Sequence, residues 1–477
     1  MRHFLPILIL AVGSLTSLAA AEKPNILLII ADDLNCELGC YDSANAKTPH
    51  IDAFARTAMR FERAYCQAPL CNPSRSSLLT GLRPASVGVL DNSTHFRWRW
   101  PDLQTLPQQF RAAGWHTAAF GKIFHGASLQ IEDGASWDEG PGVGKAITPM
   151  PKTSADETEP KPPRVGAPNP WDAWGPADQD DAATSDGKAA RLAAAGIARM
   201  KDRPFFIAVG FKKPHAPLHA PAKYFALHDA TSLRLPPTFL APDEPPRSGL
   251  PAAALRPNFD LFGSQRARPG TRDEALDAIA AYHSCVSFTD AQTGLVLDAL
   301  EKHGLAGRTI VVFTSDHGFH LGEHGLFGKL TLFEECLRVP LLVRAPGIAP
   351  GVSPRVVELL DLYPTLLDLA SLPAAPHAEG RSLTPLLREP QREWPHPARA
   401  QMARLMNLPG GASLTPAMAG QSLRDERWHF IEWADGARAL FDHATDPHEQ
   451  RNLADDASQR DRVQQFSATL ATKTRRP

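Results

Sequence analysis

Short continuous runs of apolar residues, each bounded by polar or turn-forming residues, recur along the chain. The first run, PNILLII at 24–30, is followed directly by two aspartates. A run this short, apolar at every position, is typical of a strand buried on both faces of a parallel sheet. Further strands of this kind are predicted at 117–120, 204–210, 309–314 and 340–344.

The segments between these strands favour helices and turns. Apolar residues recur at helical spacing over 275–303, and shorter helical stretches and turns are expected at 51–61, 74–80 and 106–113. Strands that alternate with helices indicate an α/β protein with a doubly wound sheet.

The pattern is interrupted twice and changes near residue 373. Residues 126–186 and 235–269 are rich in Pro, Gly, Asp and Ala, so we expect long irregular loops there. Farther on, apolar and polar residues alternate over 428–433 and 438–442, as in the two strands of a hairpin. Residues 457–472 have a helical pattern. These features predict a main domain over 22–372 and a small C-terminal subdomain over 373–477.

The first 21 residues have the pattern of a signal peptide. Arg2 and His3 precede the apolar run FLPILILAVGSL, and the alanines at 19–21 provide a cleavage site. The apolar run is too short for a transmembrane anchor. We therefore expect an exported protein, periplasmic or extracellular, without a transmembrane anchor.

The net charge and the number of cysteines exclude one class of partner and one type of fold. The 477-residue chain has a formal net charge of −2 and no long basic block, which argues against nucleic acid as a partner. Its six cysteines are few for a secreted chain of this length, so the fold is not a disulfide scaffold.

Acidic residues follow two of the predicted core strands. Asp32 and Asp33 end the first strand, and Asp316 and His317 follow the strand at 309–314. In open α/β sheets, ligands bind outside the carboxyl ends of strands, so these side chains are expected to meet. The first pair alone is equally typical of a strand-ending turn. Three crowded carboxylates, however, favour a bound cation, and oxygen-rich ligation favours Ca²⁺ or Mg²⁺ over zinc.

The segment CNPSRSSLLTG at 71–81 leaves the role of Cys71 open. Its polar neighbours argue against a buried structural thiol. Because Pro73 stands at a helix start and Arg75 is nearby, the thiol pKa would be lowered, and a direct thiolate nucleophile is one interpretation. A cysteine that is modified after synthesis is the other.

Basic residues follow other predicted strands. Lys122 and His125 lie in GKIFH, His215 lies in KKPHAP, and Lys329 follows the loop at 318–328. A single such residue is usually solvated surface. Several at separate strand ends, beside an acidic metal site, predict an anion cage in which lysines neutralise charge and histidines transfer protons near neutral pH.

The motif C-x-P-S-R-x-x-L-x-T-G at 71–81 resembles the signature of the formylglycine-dependent sulfatases. The segments NILLIIADDLN, GKIFH, KKPHAP, FTSDHG and LFDHATDPHEQRNLA extend the resemblance over nearly the whole mature chain. The segment SDHGFHLGEHG is more similar to iduronate-2-sulfatase and its bacterial relatives than to the arylsulfatases. The resemblance implies an alkaline-phosphatase-like doubly wound sheet sandwiched by helices, with a smaller C-terminal α+β subdomain.

The resemblance also implies roles for individual residues. Cys71 corresponds to the residue that a formylglycine-generating or equivalent maturation enzyme oxidises to formylglycine. Arg75 would hold the aldehyde hydrate. One calcium ion per chain would be bound by Asp32, Asp33, Cys71 in its modified form, Asp316 and His317. The sulfate cage would consist of Lys122, His125, His215 and Lys329.

The implied reaction is hydrolysis of a sulfate ester on a carbohydrate, with a 2-O-sulfated uronate as the candidate substrate. One hydroxyl of the aldehyde hydrate attacks sulfur while His215 protonates the leaving sugar oxygen. His125 then removes the proton of the second hydroxyl, sulfate departs by C–O cleavage, and the aldehyde returns. An unmodified serine or cysteine would keep the sulfate.

Two other functions are compatible with the pattern. Phosphate or phosphonate ester hydrolases of the same superfamily generally have Ser or Thr at the nucleophile position and often two zinc ions, unlike Cys71 and this single-metal ligand set. The other alternative is a catalytically inactive protein that binds sulfated glycans. Such a protein would be expected to have lost the metal ligands, the residues of the anion cage or the signature motif, and all three are intact here. The sequence therefore favours an active sulfatase.

Overall fold

A computed structural model describes residues 23–125, 131–145, 174–240, 271–404 and 417–472. The strands are β1 (Asn25–Asp32), β2 (Met59–Tyr65), β3 (His116–Gly121), β4 (Trp174–Ala177), β5 (Phe205–Pro214), β6 (Leu218–Pro221), β7 (Thr309–Ser315), β8 (His320–Leu321), β9 (Phe327–Gly328), β10 (Arg338–Arg344), β11 (Gly351–Glu358), β12 (Ala398–Arg404), β13 (Ala417–Arg424), β14 (Trp428–Trp433) and β15 (Arg438–Asp442). The helices are α1 (Pro49–Ala55), α2 (Cys71–Thr80), α3 (Pro84–Val87), α4 (Leu106–Ala112), α5 (Ser185–Arg199), α6 (Ala222–Phe225), α7 (Arg272–Lys302), α8 (Glu334–Leu337), α9 (Leu362–Leu369), α10 (Thr384–Arg388) and α11 (Arg460–Ala471).

A seven-stranded sheet in the order β11-β2-β10-β7-β1-β5-β3 forms the centre of the molecule. Strand β10 runs antiparallel to both its neighbours, and the other pairs are parallel, so the sheet is mixed. The predicted α/β class, with a doubly wound sheet and a smaller C-terminal subdomain, is confirmed.

Strand β1 shows why the sheet needs helices on both faces. Ile26, Leu28 and Ile30 enter one core, where α2, α4 and α9 pack. The alternate residues enter a second core with α1, α5 and α7 on the opposite face. Each fully buried Leu or Ile contributes roughly 1.5–3 kcal/mol. The continuous apolar run in the sequence therefore reflects burial on both faces.

The register of β1 and its neighbours brings three strand ends to one edge of the sheet. Ala31 pairs with Ser315 of β7, and Asp32 pairs with Pro214 of β5. The segments that follow β1, β5 and β7 therefore start side by side, as the position of ligand sites in open α/β sheets requires.

The C-terminal subdomain contains a four-stranded antiparallel sheet in the order β12-β13-β14-β15. The predicted hairpin of β14 and β15 is present, and the predicted terminal helix corresponds to α11. Helix α11 packs on one side of this sheet through Val463, Phe466 and Leu470. Ile431 and Phe441 pack into the core of the main sheet instead. The subdomain is thus joined to the main domain through shared apolar contacts.

Two regions differ from the expectations. Helix α1 ends at Ala55, and Met59 begins strand β2, so the helical interpretation of 51–61 is wrong in its second half. The irregular region 126–186 contains β4 and the start of α5 within its described part. The rest of that region, most of 235–269 and the predicted signal peptide lie outside the described residues.

Two further observations concern cysteines and membrane spans. All six cysteines are free thiols. Among the helices of the described ranges, none is both long and apolar enough to cross a membrane.

Candidate active site

The acidic residues predicted at the strand ends do lie together. Asp32 is the last residue of β1, and Asp33 follows with a left-handed φ of 65°, a conformation uncommon for a residue other than glycine. The Asp33 amide donates a hydrogen bond to Asp316 Oδ1 at 3.2 Å, and the His317 amide donates to the same oxygen at 3.0 Å. One carboxylate therefore fixes the turns that follow two strands.

Cys71 occupies the centre of this group. It is the first residue of α2, and its side chain has no solvent exposure. Its Sγ lies 3.3 Å from Asp32 Oδ1, 3.4 Å from His317 Nε2 and 3.3 Å from Lys329 Nζ. This surrounding of charged and polar groups is not that of a structural thiol in an apolar core.

The charges around Cys71 favour an anion at this position. Burial alone would raise the pKa of its thiol, but the positive charges of Lys122, Lys329 and His317 hold that pKa well below the usual value. Burial and the Cys71 sulfur would also raise the pKa of Asp32, yet the neighbouring cations keep it below its ordinary value.

Arg75 connects the signature helix to the ends of two strands. Its guanidinium is fully buried, and Nε donates to Asp316 Oδ2 at 2.7 Å. The same side chain donates to the carbonyl oxygens of Lys122 and Ile123 after β3. Because a buried guanidinium needs partners for its five N–H groups, these contacts fix α2 relative to β3 and β7.

The two lysines of the predicted cage point at the aspartates. Lys122 Nζ donates a hydrogen bond to Asp32, and Lys329 Nζ donates to Asp33 Oδ1 at 2.7 Å. Burial would lower the pKa of each ammonium group, but the aspartates and Cys71 raise both above the ordinary value. Both lysines therefore carry a positive charge at neutral pH.

The two predicted histidines differ in how closely they approach the centre. The His125 ring lies next to the Cys71 side chain, and burial lowers the pKa of this imidazole, which favours its neutral form. His215 is half-buried, with Nδ1 2.6 Å from the Ala216 carbonyl oxygen. His215 is among the groups that lower the pKa of Asp32. His215 therefore faces the group from its rim.

The donor set fits a divalent cation. Ligand atoms of Asp32, Asp33, Cys71 and His317 all lie within 4.8 Å of one another, and all four residues are buried. Asp316 stands beside them, with Oδ1 3.8 Å from His317 Nε2, while its Oδ2 is bound to Arg75. Three clustered carboxylates supply the oxygen atoms that Ca²⁺ prefers.

Asn72 has a structural role that the sequence did not indicate. Its Nδ2 donates hydrogen bonds to the carbonyl oxygens of Asp91 and Thr94, both at 2.8 Å, and its backbone amide donates to Asn92 Oδ1 at 3.1 Å. Residues 91–94 are thereby attached to the N-terminus of the signature helix. No local pattern in the sequence points to a partner 20 residues away.

Glu132 is a second residue that sequence reasoning missed. It is buried, and its Oε2 has no hydrogen-bond partner in the described part of the chain. Burial raises its pKa to about 7, although the positive charge of Arg75 opposes the shift. An isolated Glu in a region read as irregular gives no sign of burial.

This α/β sheet and this group of buried charged residues define a hydrolase of anionic esters, and comparison with known proteins gives the family. The family model described as Sulfatase matches residues 24–372, and that of the N-sulphoglucosamine sulphohydrolase C-terminal region matches 322–476. The chain belongs to the sulfatase family, as its signature predicted. It is a sulfuric ester hydrolase.

Individual relatives extend this result. A sulfatase of Formosa agariphila is 32% identical over 467 residues, covering 94% of this chain and 86% of that protein. Iduronate 2-sulfatase of Mus musculus is 33% identical over 398 residues, covering 75% of this chain and 70% of that protein. The structure of a phosphonate monoester hydrolase of Agrobacterium radiobacter has a TM-score of 0.75 at 23% identity, covering 94% and 95% of the two chains. The similarity to this last structure is evidence for the fold alone.

Proposed function

We propose that the protein is an exported, calcium-dependent sulfatase that removes sulfate from a sulfated carbohydrate through a formylglycine made from Cys71. The observation that carries the proposal is the position of Cys71, whose Sγ lies within 3.4 Å of a carboxylate, an imidazole and an ammonium group. Export through residues 1–21 and maturation by a formylglycine-generating enzyme belong to the same proposal.

The metal site supports calcium as the ion. Its ligands would be Asp32, Asp33, Asp316, His317 and the modified residue 71. When bound, the ion would supply positive charge that stabilises a sulfate group and favours deprotonation of a hydroxyl at position 71. The hydrated formylglycine supplies one hydroxyl for attack on sulfur and a second that allows the sulfate to leave.

The remaining cations stabilise the charge of the reacting group. Lys122 and Lys329 keep their protons, and both reach the carboxylates that surround position 71. Fixed cations in a buried site stabilise charge on a transferring group without the reorganisation that water requires. Arg75 adds positive charge and holds α2, so that residue 71 stays aligned with the metal ligands.

Each of the two histidines would carry out one of the two proton transfers. His125, with its lowered pKa and its contact to Cys71, is suited to accept a proton from a hydroxyl at position 71. His215 lies at the rim, where the leaving sugar oxygen would stand, and is suited to donate a proton to it.

The candidate substrate is a 2-O-sulfated uronate. The support is the similarity to iduronate 2-sulfatase, which covers 75% of this chain. Fold and family alone do not fix a substrate. A panel of position-defined sulfated mono- and disaccharides, with release of inorganic sulfate as the readout, tests this assignment directly.

The same panel tests the reaction itself. The parent protein is expected to release sulfate, Cys71→Ala is expected to release none, and Cys40→Ala, which changes a half-buried cysteine elsewhere, is expected to retain the parent rate. Equal rates for the parent and Cys71→Ala would refute the formylglycine mechanism. Faster hydrolysis of a phosphonate monoester than of every sulfate ester would favour the phosphonate hydrolase alternative. Binding without release would indicate a glycan-binding protein.

A further inference from the structure

A second group of potential metal ligands lies away from the active site, where the C-terminal subdomain meets α8. It contains Glu334 of α8, His429 of β14, His443 after β15, and Glu449. Their ligand atoms all lie within 4.8 Å of one another. His429 and Glu449 are completely buried, and the side chains of His443 and Glu334 are only 8% and 13% exposed.

Glu449 is the centre of this second group. Its Oε1 contacts His429 Nδ1 and lies 2.9 Å from His443 Nε2. Its Oε2 accepts a hydrogen bond from the Glu334 backbone amide at 3.1 Å. Glu334 in turn accepts hydrogen bonds from the Tyr65 hydroxyl at 3.0 Å and from Arg424 Nε at 3.4 Å. Two imidazole nitrogens and two carboxylates thus converge on one point.

Two largely buried carboxylates lie close together in this second group. Glu334 pairs with the guanidinium of Arg424, and Arg338 and His443 also lie near it. Carboxylates crowded in this way repel one another unless a proton or a metal ion offsets their charge.

The ring of His429 presents Nδ1 to this second group. Its Nε2 is buried and has no hydrogen-bond partner in the described residues. Nδ1, which contacts Glu449 Oε1, is therefore the nitrogen placed to bind a metal ion.

We propose that Glu334, His429, His443 and Glu449 bind a zinc ion that joins the C-terminal subdomain to the catalytic domain. Two imidazoles and two carboxylates are ligands that zinc accepts in a four-coordinate site, at about 2.0–2.2 Å each. Four protein ligands leave no open position, so the ion is structural. Because Glu334 lies five residues after Lys329, the ion also holds the segment that carries this lysine.

Zinc content of the full-length protein tests the proposal. The chain is stripped with a chelator, incubated with Zn²⁺ and desalted, and zinc per chain is measured. The parent is expected to retain one equivalent more than His443→Gln or Glu449→Gln. The matched control is His448→Gln, an exposed histidine next to Glu449, which is expected to retain the parent content. The active site is identical in all four proteins, so any zinc it binds cancels from the difference.

Equal zinc content in the parent and in His443→Gln overturns the proposal. If the variants fail to fold, the parent protein still decides the question through cobalt. Co²⁺ added to the stripped parent, with excess Ca²⁺ present to occupy the active site, is expected to give the strong visible absorption of a four-coordinate site. Zinc is then expected to displace the cobalt and remove this absorption. If the only absorption seen is the weak absorption typical of an octahedral ion, the proposed zinc site is contradicted.

Discussion

Arg75 Nε and Asp316 Oδ2 lie 2.7 Å apart, and both side chains are completely excluded from solvent. The pair connects the helix that begins with Cys71 to the residue that follows β7. Asp316 also accepts hydrogen bonds from the amides of Asp33 and His317. The position of residue 71 relative to the metal ligands therefore depends on one buried ion pair.

Removal of Arg75 is expected to destabilise the fold. In Arg75→Ala, Asp316 keeps a buried charge without its partner, and the free energy of unfolding is expected to fall by about 3–5 kcal/mol. Urea denaturation measures this change. The control is Arg438→Ala, which breaks a largely exposed pair with Glu432 and is expected to cost no more than about 1 kcal/mol. Equal losses in the two variants would contradict the role given to Arg75.

Lys329→Met tests the anion cage. The substitution keeps an unbranched side chain but removes the ammonium group next to Cys71 and Asp33. Loss of one preorganised charge-stabilising group typically lowers the rate by about 10²–10³-fold, and we expect that loss in kcat/KM for sulfate release. Lys302→Met changes an exposed lysine at the end of α7 and is the control. An unchanged kcat/KM in Lys329→Met would remove this lysine from the mechanism.

Asn72→Ala tests the attachment of residues 91–94 to the signature helix. The carbonyl oxygens of Asp91 and Thr94 lose their donor, so the free energy of unfolding is expected to fall by about 1–3 kcal/mol. Thermal unfolding measures the change. Ser93→Ala removes an exposed hydroxyl of the same loop and is the control. A loss in Asn72→Ala no larger than that in Ser93→Ala would show that Asn72 does not hold this loop.

Glu132 predicts a pH-dependent difference in stability. Burial raises its pKa from 4.5 to about 7 in the folded protein. Because this pKa is higher in the folded than in the unfolded state, the protonated carboxyl of Glu132 favours the folded state below pH 4.5. This contribution is lost as the pH rises through about 7. Relative to the parent, Glu132→Gln is therefore expected to be more stable at pH 8, by up to about 3 kcal/mol, with this advantage absent at pH 4. Chemical denaturation at the two pH values measures it. An equal difference in the free energy of unfolding at the two pH values would contradict the raised pKa of the Glu132 carboxyl.

The sequence predicted those parts of the fold and site that follow from local pattern. The run at 24–30 is apolar at every position because β1 is buried on both faces, and its two aspartates mark the strand end. The residues proposed for the metal and the cage stand directly after strands or in a specific signature, so their meeting at one edge followed from sheet topology.

Features that depend on long-range contacts could not be predicted. Strand β2 begins at Met59, only a few residues after a short helix that ends at Ala55, so its start merged with the helical pattern. The hydrogen bonds of Asn72 to residues 91–94 and the approach of Glu334 to Glu449 join segments that are distant in the chain. Neither leaves a periodic signal in the sequence.

The mass of the peptide that contains residue 71 tests the central claim most directly, in a preparation that releases sulfate from a sulfated sugar. The account predicts that the peptide has lost the sulfur of Cys71 and gained an aldehyde oxygen, as formylglycine requires. An active preparation in which residue 71 is entirely unmodified cysteine would contradict it.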